Sequence, residues 1–305
     1  MHHRAPVRTA LFLLAATALS IAPGAAAPLA PYSGGITGRS GKQLSDCTGC
    51  HSGGSAPTVT LSGPAFVLHD STRSFTFRVA GGQQVAAGLN VALDVGTLVA
   101  TDSETYTSNE ELTHANPRNV DGNGEVAWSF DVVAPSVAGP LTLWAAGNSV
   151  DLSGDQTGDL PGLTQLQVTV VDSLTSFSEF GSGLAGTGGF VPHLAGIDGP
   201  SGGPWSIELT DGLGGAPAYL FASTATTTFP LFGGTFYVDL SLPFLLLPLA
   251  LDGTPGAAGD GTLSLDGEDY SAFAPLTVYA QAAVIDLAAP RKVALSNALR
   301  MDVEN

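Results

Sequence analysis

Hydrophobic and polar residues alternate with the two-residue period of β-strands over much of the chain. From residue 58 to residue 172, short alternating runs are separated by turn residues roughly every 8 to 12 positions. These runs are TVTLSG, SFTFRVAGG, GLNVALDVG, GEVAWSFDVVAP, GPLTLWAAGNS and LTQLQVTVVDS. The pattern predicts an all-β unit over residues 58–172, a β-sandwich of immunoglobulin-like type. Trp128 and Trp144 fall inside predicted strands, and we interpret both as core residues.

A second β region follows an interruption of this pattern. The stretch DSLTSFSEFGSG breaks the alternation, so residues 173–182 are predicted to be a linker. Beyond it, a second β-sandwich-like domain is predicted over residues 183–305 from the runs PWSIELTDG, PAYLFAST, GTFYVDLS, GTLSLDG and LTVYAQAAVID. The very apolar PFLLLPLALD in this region is too short to cross a bilayer, which takes about 20 residues.

The N-terminus has the pattern of an export signal. Arg4 and Arg8 precede an apolar run from Thr9 to about Ala22. After it, Ala25-Ala26-Ala27 fits the small-residue rule for cleavage by signal peptidase. Residues 1–27 are therefore predicted to be a secretory signal peptide, cleaved near Ala27. We expect a secreted bacterial protein, extracellular or periplasmic, with no transmembrane segment in the mature chain.

The charge balance narrows the possible partners. The chain has 10 Lys and Arg against 27 Asp and Glu, a net charge of −17. Loss of the signal peptide would make the charge about −19. Because such a chain has no basic patch to neutralise phosphates, nucleic acid is not an expected partner. No H-E-x-x-H motif occurs, and no G-x-S-x-G elbow joins a predicted strand to a predicted helix, so we do not expect an enzyme.

The candidate chemistry lies in DCTGCHSGG, within residues 28–57. Cys47 and Cys50 are the only cysteines of the chain, and His51 follows the second one directly. C-x-x-C-H is the attachment sequence of c-type haem. Both thiols can reach one edge of a porphyrin, and the next residue can then ligate the iron. We therefore predict covalent haem on Cys47 and Cys50, with His51 as proximal iron ligand, and name residues 28–57 the haem-attachment segment.

Other interpretations of the two cysteines stay open. A C-x-x-C pair can form a disulfide or a thioredoxin-like redox centre, although the latter goes with a βαβ context that the pattern does not predict. A zinc site would need four ligands, and only one histidine is close in sequence.

The second iron ligand must come from elsewhere, and it is usually Met or His. Met301 is the only methionine after the predicted signal peptide, and the other histidines are His69, His114 and His193. His69 is interpreted as a surface group, and His193 lies in the second domain. His114, in ELTHANPRN, is predicted to lie on a long polar loop of the sandwich, where functional groups are often presented. We take His114 as the candidate distal ligand, with a solvated loop histidine as the alternative.

Several spaced motifs together point to a family. The runs YSGGITGRSGKQLSDCTGCHSG, ELTHANP, VAWSFDVVAP and LWAAGNSVDLSGDQTGD resemble the secreted bacterial proteins called choice-of-anchor V. The resemblance covers roughly residues 32–172 and implies a C-x-x-C-H segment followed by a Reelin-like β-sandwich. It also adds weight to His114, through the matching LTH. The end of the chain, with GLAGTGGFVPHLAGIDGPSGG and YAQAAVIDLAAPRKVALSNALRM, is similar to a C-terminal β-domain of planctomycete and myxobacterial secretomes.

One acidic loop is a weak candidate for calcium. NSVDLSGDQTGD places four oxygen-bearing side chains close together in sequence: Asn148, Asp151, Asp155 and Asp159. Calcium prefers such ligands, but the spacing is not that of an EF-hand. Acidic turn residues of an acidic protein are the simpler interpretation.

Two hypotheses of function therefore stand. In the first, the chain is an exported monohaem c-type cytochrome-like protein with a role in electron transfer or redox sensing, acting on a redox or cell-surface partner that the sequence does not identify. In the second, it is a secreted structural or adhesion protein whose two cysteines form a disulfide and which carries no haem.

Overall fold

The computed structural model of the chain describes residues 33–43, 45–82 and 85–305. The predicted signal peptide, residues 1–27, lies outside the described residues, as do residues 28–32 and 44 of the haem-attachment segment. Within the described ranges, no helix is long and apolar enough to cross a membrane. The described residues form an all-β structure, and the helical turns among them are short 3₁₀ turns at Cys47–Gly49, Thr187–Gly189, Ser271–Phe273 and Pro290–Lys292.

The N-terminal unit forms a two-sheet sandwich. Its strands are β1 Ser52–Gly53, β2 Thr58–Ser62, β3 Phe66–Leu68, β4 Thr72–Ala80, β5 Ala86–Leu93, β6 Thr97–Ala100, β7 Thr105–Ser108, β8 Glu111–His114, β9 Arg118–Asn119, β10 Glu125–Val133, β11 Gly139–Val150 and β12 Thr157–Val171. The larger sheet has the order β1-β12-β11-β5-β8-β7, with β3 pairing β12 and β9 pairing β5. The smaller sheet has the order β2-β4-β10-β6. All six alternating runs of the N-terminal region contribute a strand.

The inner faces of the two sheets make the core of this unit. Phe75 and Phe77 of β4 lie opposite Phe130 and Trp128 of the neighbouring β10, and each facing pair of rings is stacked at a centroid distance of 6.1 Å. The Trp128 side chain is 1% exposed, in agreement with its predicted place in the core. From the larger sheet, Leu, Val and Ala side chains of β5, β11 and β12 pack against this aromatic layer.

Strand β5 is buried along its whole length, which an ordinary sandwich strand is not. One face of β5 contributes Leu89 and Val91 to the core. The other face, with Gly88 and Asn90, turns away from the core and is nevertheless covered. Trp144 of β11 lies on this outer face too, opposite Ala92 of β5. Its ring is half-buried, with the Lys42 ammonium group above it. The prediction of Trp144 as a core residue is corrected accordingly.

The boundary between the units differs from the prediction. Residues 173–182, predicted as a linker, consist mostly of strand β13 Leu174–Phe180, which pairs with the last strand of the chain. Leu174 and Thr175 are buried. The polar residues of LTSFSEF interrupt the apolar–polar alternation and gave the segment the appearance of a loop, although it pairs as an ordered strand.

The C-terminal unit is also built of layered sheets. Its further strands are β14 His193–Ile197, β15 Gly199–Pro200, β16 Ser206–Leu213, β17 Pro217–Ser223, β18 Thr226–Leu231, β19 Gly234–Val238, β20 Phe244–Ala250, β21 Ala258–Asp266, β22 Leu276–Ile285 and β23 Val293–Glu304. The main sheet has the order β15-β13-β23-β22-β17-β20, and β14-β16-β21 form a second sheet. Buried residues of both sheets share one apolar cluster, and the hairpin β18-β19 covers another.

Truncation of a core ring should unfold the N-terminal unit much more easily. For Phe130→Ala we expect a loss of about 3–5 kcal/mol in the free energy of unfolding, because a fully buried aromatic side chain is removed. Val99→Ala, in the same sheet but 38% exposed, is the matched control and should change it by less than about 0.5 kcal/mol. Urea denaturation followed by tryptophan fluorescence measures both, and equal losses would contradict the assignment of the core.

Candidate functional site

The outer face of the larger sheet forms the floor of a cavity. Neighbouring strands β5 and β11 place Gly88 opposite Asn148 and Asn90 opposite Ala146, and these residues lie on the face turned away from the core. Strand β8 adds His114 beside them. The floor is thus made of rigid, paired strands rather than loops.

The segment before β1 lies across this face and is fixed to it by hydrogen bonds. The Ile36 N–H donates to Thr113 Oγ1 at 3.1 Å, and the Arg39 N–H donates to Asn90 Oδ1 at 2.8 Å. Gly35 allows the closest approach, since a Cβ there would lie 2.3 Å from the His114 carbonyl oxygen, and its φ is +86°. The segment therefore forms the roof of the cavity and buries the outer face of β5.

The C-x-x-C-H array is a tight turn attached to the edge of the same sheet. Asp46 caps it by accepting the Thr48 N–H at 2.8 Å. The N–H groups of Cys50 and His51 both donate to the Cys47 carbonyl, at 3.1 and 3.0 Å. Strand β1 follows directly and is the edge strand of the sheet. It pairs in parallel with β12, which pairs with β11. The array is consequently held beside the floor strands.

Both cysteines are free thiols and partly buried. Burial raises the pKa of the Cys47 thiol to about 11, and the nearby Asp46 carboxylate acts in the same direction. Reactive and disulfide-exchanging cysteines generally have a lowered pKa, because the thiolate is the nucleophile. The environment of Cys47 is thus unlike that of a thioredoxin-type redox centre.

His51 is held by a buried carboxylate. Its Nδ1 lies 3.3 Å from Asp159 Oδ2, and the Asp159 side chain is only 4% exposed. The other oxygen of Asp159 accepts the Asp151 N–H at 3.0 Å. A histidine that donates Nδ1–H to a carboxylate keeps Nε2 free for a metal, the arrangement seen in many metal-binding histidines.

His114 lies at the end of β8 and not on a polar loop, which corrects the predicted local structure. The residue is 8% exposed, and its imidazole stacks so closely over Gly88 that a Cβ there would lie 2.4 Å from Cε1. Burial lowers the pKa of His114, so the ring is neutral near pH 7. Its Nδ1 is 3.0 Å from the Leu89 N–H nitrogen and 3.2 Å from the Leu89 carbonyl oxygen. The Leu89 N–H donates to Nδ1, so the neutral ring carries its proton on Nε2, and iron binding at Nε2 would need the other tautomer, in which Nδ1–H donates to the Leu89 carbonyl.

The array and His114 line a single open cavity of about 280 Å³. That volume is close to the lower end of the roughly 300–1,000 Å³ typical of small-molecule sites. Its wall contains the predicted ligands together with apolar side chains and one cation: Cys47, Cys50, His51, His114, Ile36, Pro117, Ala146, Val150, Leu152 and Arg39. Asn148 also lines it, and its buried Oδ1 finds no hydrogen-bond partner in the described part of the chain.

Three further residues belong to this site. The sequence pattern does not indicate Arg39 or Asn90, and it suggests Asp159 only as a calcium ligand. A polar residue in the middle of an otherwise apolar strand, such as Asn90 in GLNVALDVG, is a signal that could have been noticed.

The acidic loop does not gather its carboxylates around a common point. Asp151 accepts the Ser153 N–H and Asp155 accepts the Thr157 N–H, while Asp159 faces His51. Across residues 33–43, 45–82 and 85–305, no three His, Cys, Asp or Glu side chains are grouped so that they could hold a metal ion. Calcium at Asn148, Asp151, Asp155 and Asp159 stays a prediction without structural support.

The other candidate ligands lie away from the cavity. His69 pairs with Asp70 at the surface, at 3.1 Å, and His193 pairs with Glu179 in the C-terminal unit, at 2.8 Å. Met301 is 8% exposed and packs with Trp205 and Val303 in a small core of that unit. Of the four residues considered for the distal position, the structure brings only His114 to the array.

Comparisons with known proteins add little to this site. No protein-family model matches the chain, and no curated protein matches it. Among solved structures, one that it matches is native alpha-2-macroglobulin from Escherichia coli, from domain MG7 to the C-terminus. The match covers 57% of this chain and 24% of that chain, with 17% sequence identity and a TM-score of 0.25. Such a low score supports no inference, and function must be argued from the geometry of the site.

Enlarging Gly88 should displace the His114 ring. Gly88→Ala is expected to lower the free energy of unfolding by about 1–3 kcal/mol, because the added methyl group overlaps the imidazole. In a double-mutant cycle with His114→Ala, the double variant should lose less stability than the sum of the single losses, by about 0.5 kcal/mol or more. Gly122→Ala, where a Cβ meets nothing within 4 Å, is the control. Additive losses in urea denaturation would contradict the close packing of His114 on Gly88.

Proposed function

We propose that this chain is an exported c-type haem protein that carries one covalently bound haem and transfers electrons. The observation that carries the proposal is that His114, more than sixty residues from the array in sequence, lines the same cavity as Cys47, Cys50 and His51. Membership of the choice-of-anchor V proteins is part of this proposal and is based on the motifs given above.

The residues of the cavity fit such a group. Two thiols lie on one short turn next to a histidine whose Nδ1 is occupied, and a second, neutral imidazole comes from the floor. Apolar side chains supply most of the remaining wall, which suits a porphyrin, and the Arg39 cation could pair with its carboxylates. Since the roof is a short segment, the sandwich itself would provide the enclosure that helices supply in small cytochromes.

A bound haem would supply a one-electron iron couple. Cys47 and Cys50 would hold the group, and His51 in the roof and His114 in the floor would be its nitrogen ligands. Because two histidines would be available to the iron, no exogenous ligand would be needed in either oxidation state, which favours electron transfer over peroxide or gas chemistry. Ile36, Ala146 and Val150 give the cavity an apolar lining, which would lower the polarity around the bound group.

Covalent attachment is the direct test. When the full chain is expressed with cytochrome c maturation machinery, we expect its intact mass to exceed that of the mature polypeptide by one haem and its reduced spectrum to have the sharp α-band of a c-type haem. Replacement of both Cys47 and Cys50 by Ser should abolish the added mass, because no thioether can form. His193→Ala, a surface histidine outside the cavity, should leave it unchanged.

An intact mass without haem that is two hydrogens below that of the polypeptide with free thiols would instead mean a disulfide between the two cysteines. The structural or adhesive hypothesis would then replace the proposal.

The distal ligand has its own test on the loaded protein. His114→Ala should convert a six-coordinate, low-spin spectrum into one with an open position, and added imidazole should restore the original spectrum by filling the space of the lost ring. His69→Ala, at the surface, serves as the matched control. If His114→Ala retained the low-spin spectrum without imidazole, another residue would be the sixth ligand.

A further inference from the structure

The contact between His51 and Asp159 brings a carboxylate to the proposed iron ligand. The two atoms that meet, Nδ1 and Oδ2, are 3.3 Å apart, and the Asp159 residue is 2% exposed. Its remaining oxygen is occupied by the Asp151 N–H. A buried carboxylate needs compensation by hydrogen bonds or an opposite charge, and the His51 ring supplies it here.

The backbone fixes this pair independently of the side chains. Strand β1 follows His51 directly, and its Gly53 lies opposite Asp159 on β12. The Ser52 N–H donates to the Gln156 carbonyl at 3.1 Å. Gly54 then passes so close to β12 that a Cβ would lie 2.0 Å from the Gly158 carbonyl oxygen. His51 and Asp159 are therefore brought together by the register of two paired strands.

We propose that Asp159 is the positioning residue of His51, and that its charge makes the haem site favour the oxidised state; this inference rests on the proposed function. A hydrogen bond from Nδ1–H to a carboxylate fixes the tautomer and orientation of the ring and makes Nε2 a stronger donor. A buried negative charge next to the ligand stabilises the iron state of higher positive charge, because Coulomb interactions are little screened in the interior.

The two candidate iron ligands would then be unequal. The Nδ1 of His114 faces the peptide group of Leu89, a neutral partner, whereas the Nδ1 of His51 faces a carboxylate. His51 would thus be the stronger ligand of the two.

A comparison of three variants tests this inference. Asp159→Asn removes the charge and keeps a hydrogen-bonding side chain of the same shape, and Asp159→Ala removes both. Asp155→Asn is the matched control, because Asp155 lines the same cavity, is exposed and accepts hydrogen bonds from Thr157, whereas the carboxylate at His51 is that of Asp159. Circular dichroism checks that each variant is folded.

On the haem-loaded chain, the reduction potential is measured by spectroscopic redox titration. We expect Asp159→Asn to raise the potential by several times the change caused by Asp155→Asn, with haem content unchanged. Equal shifts in the two variants would overturn the role of the Asp159 charge.

On the haem-free chain, nitrogen NMR of the imidazoles gives a second measurement that does not depend on haem. Neutral His51 should carry its proton on Nδ1 in the wild type and in Asp155→Asn, and mainly on Nε2 in Asp159→Ala. A proton on Nε2 in the wild type would overturn the positioning role. Absence of haem from the wild-type chain after maturation would instead overturn the proposed function, while the tautomer would still decide the role of Asp159.

Discussion

The burial of β5 on both faces is the constraint on which the rest of the N-terminal unit depends. A strand with a core on one side normally exposes its other side to water, yet the outer face of β5 is covered by the segment that precedes β1. That cover needs polar partners for its backbone, and Thr113 and Asn90 provide them. The same requirement explains why Gly35 and Gly88 lack side chains, since the roof, the His114 ring and the floor approach one another there.

The cavity is the space that remains between the segment before β1 and the outer face of the larger sheet. A short turn such as Cys47–Gly49 cannot fill the space above the outer face, so an open volume remains between it and the strands. The chemistry-bearing groups then divide into two sets: the thiols and His51 from the roof, and His114 from the floor. Strand β1, at the start of the N-terminal unit, pairs in parallel with β12, its last strand. This pairing at the sheet edge brings residues far apart in sequence into one site.

Much of the fold and part of the site could be predicted from the sequence. Alternation gives the strands of the sandwich, since each strand has one apolar face whatever its neighbours are. The array and its histidine follow from local spacing. Alternation does not tell whether an outer face meets water or another segment, so the position of Trp144 and the burial of His114 could not be derived. For the same reason Asp159 looked like one of several acidic loop residues: its contact with His51 is set by strand register across 108 positions.

The order in which the site is assembled follows from the topology of the roof. The array precedes β5, β8, β11 and β12 in the chain, and these strands supply every element of the floor and the edge on which the array rests. During synthesis, Cys47 and Cys50 therefore emerge well before the surface that later encloses them. For that interval the two thiols are accessible on an undocked segment, and chemical modification can reach them without opening the folded sandwich. Long-range pairing of this kind also forms late in folding, because the ends of a long loop must first meet.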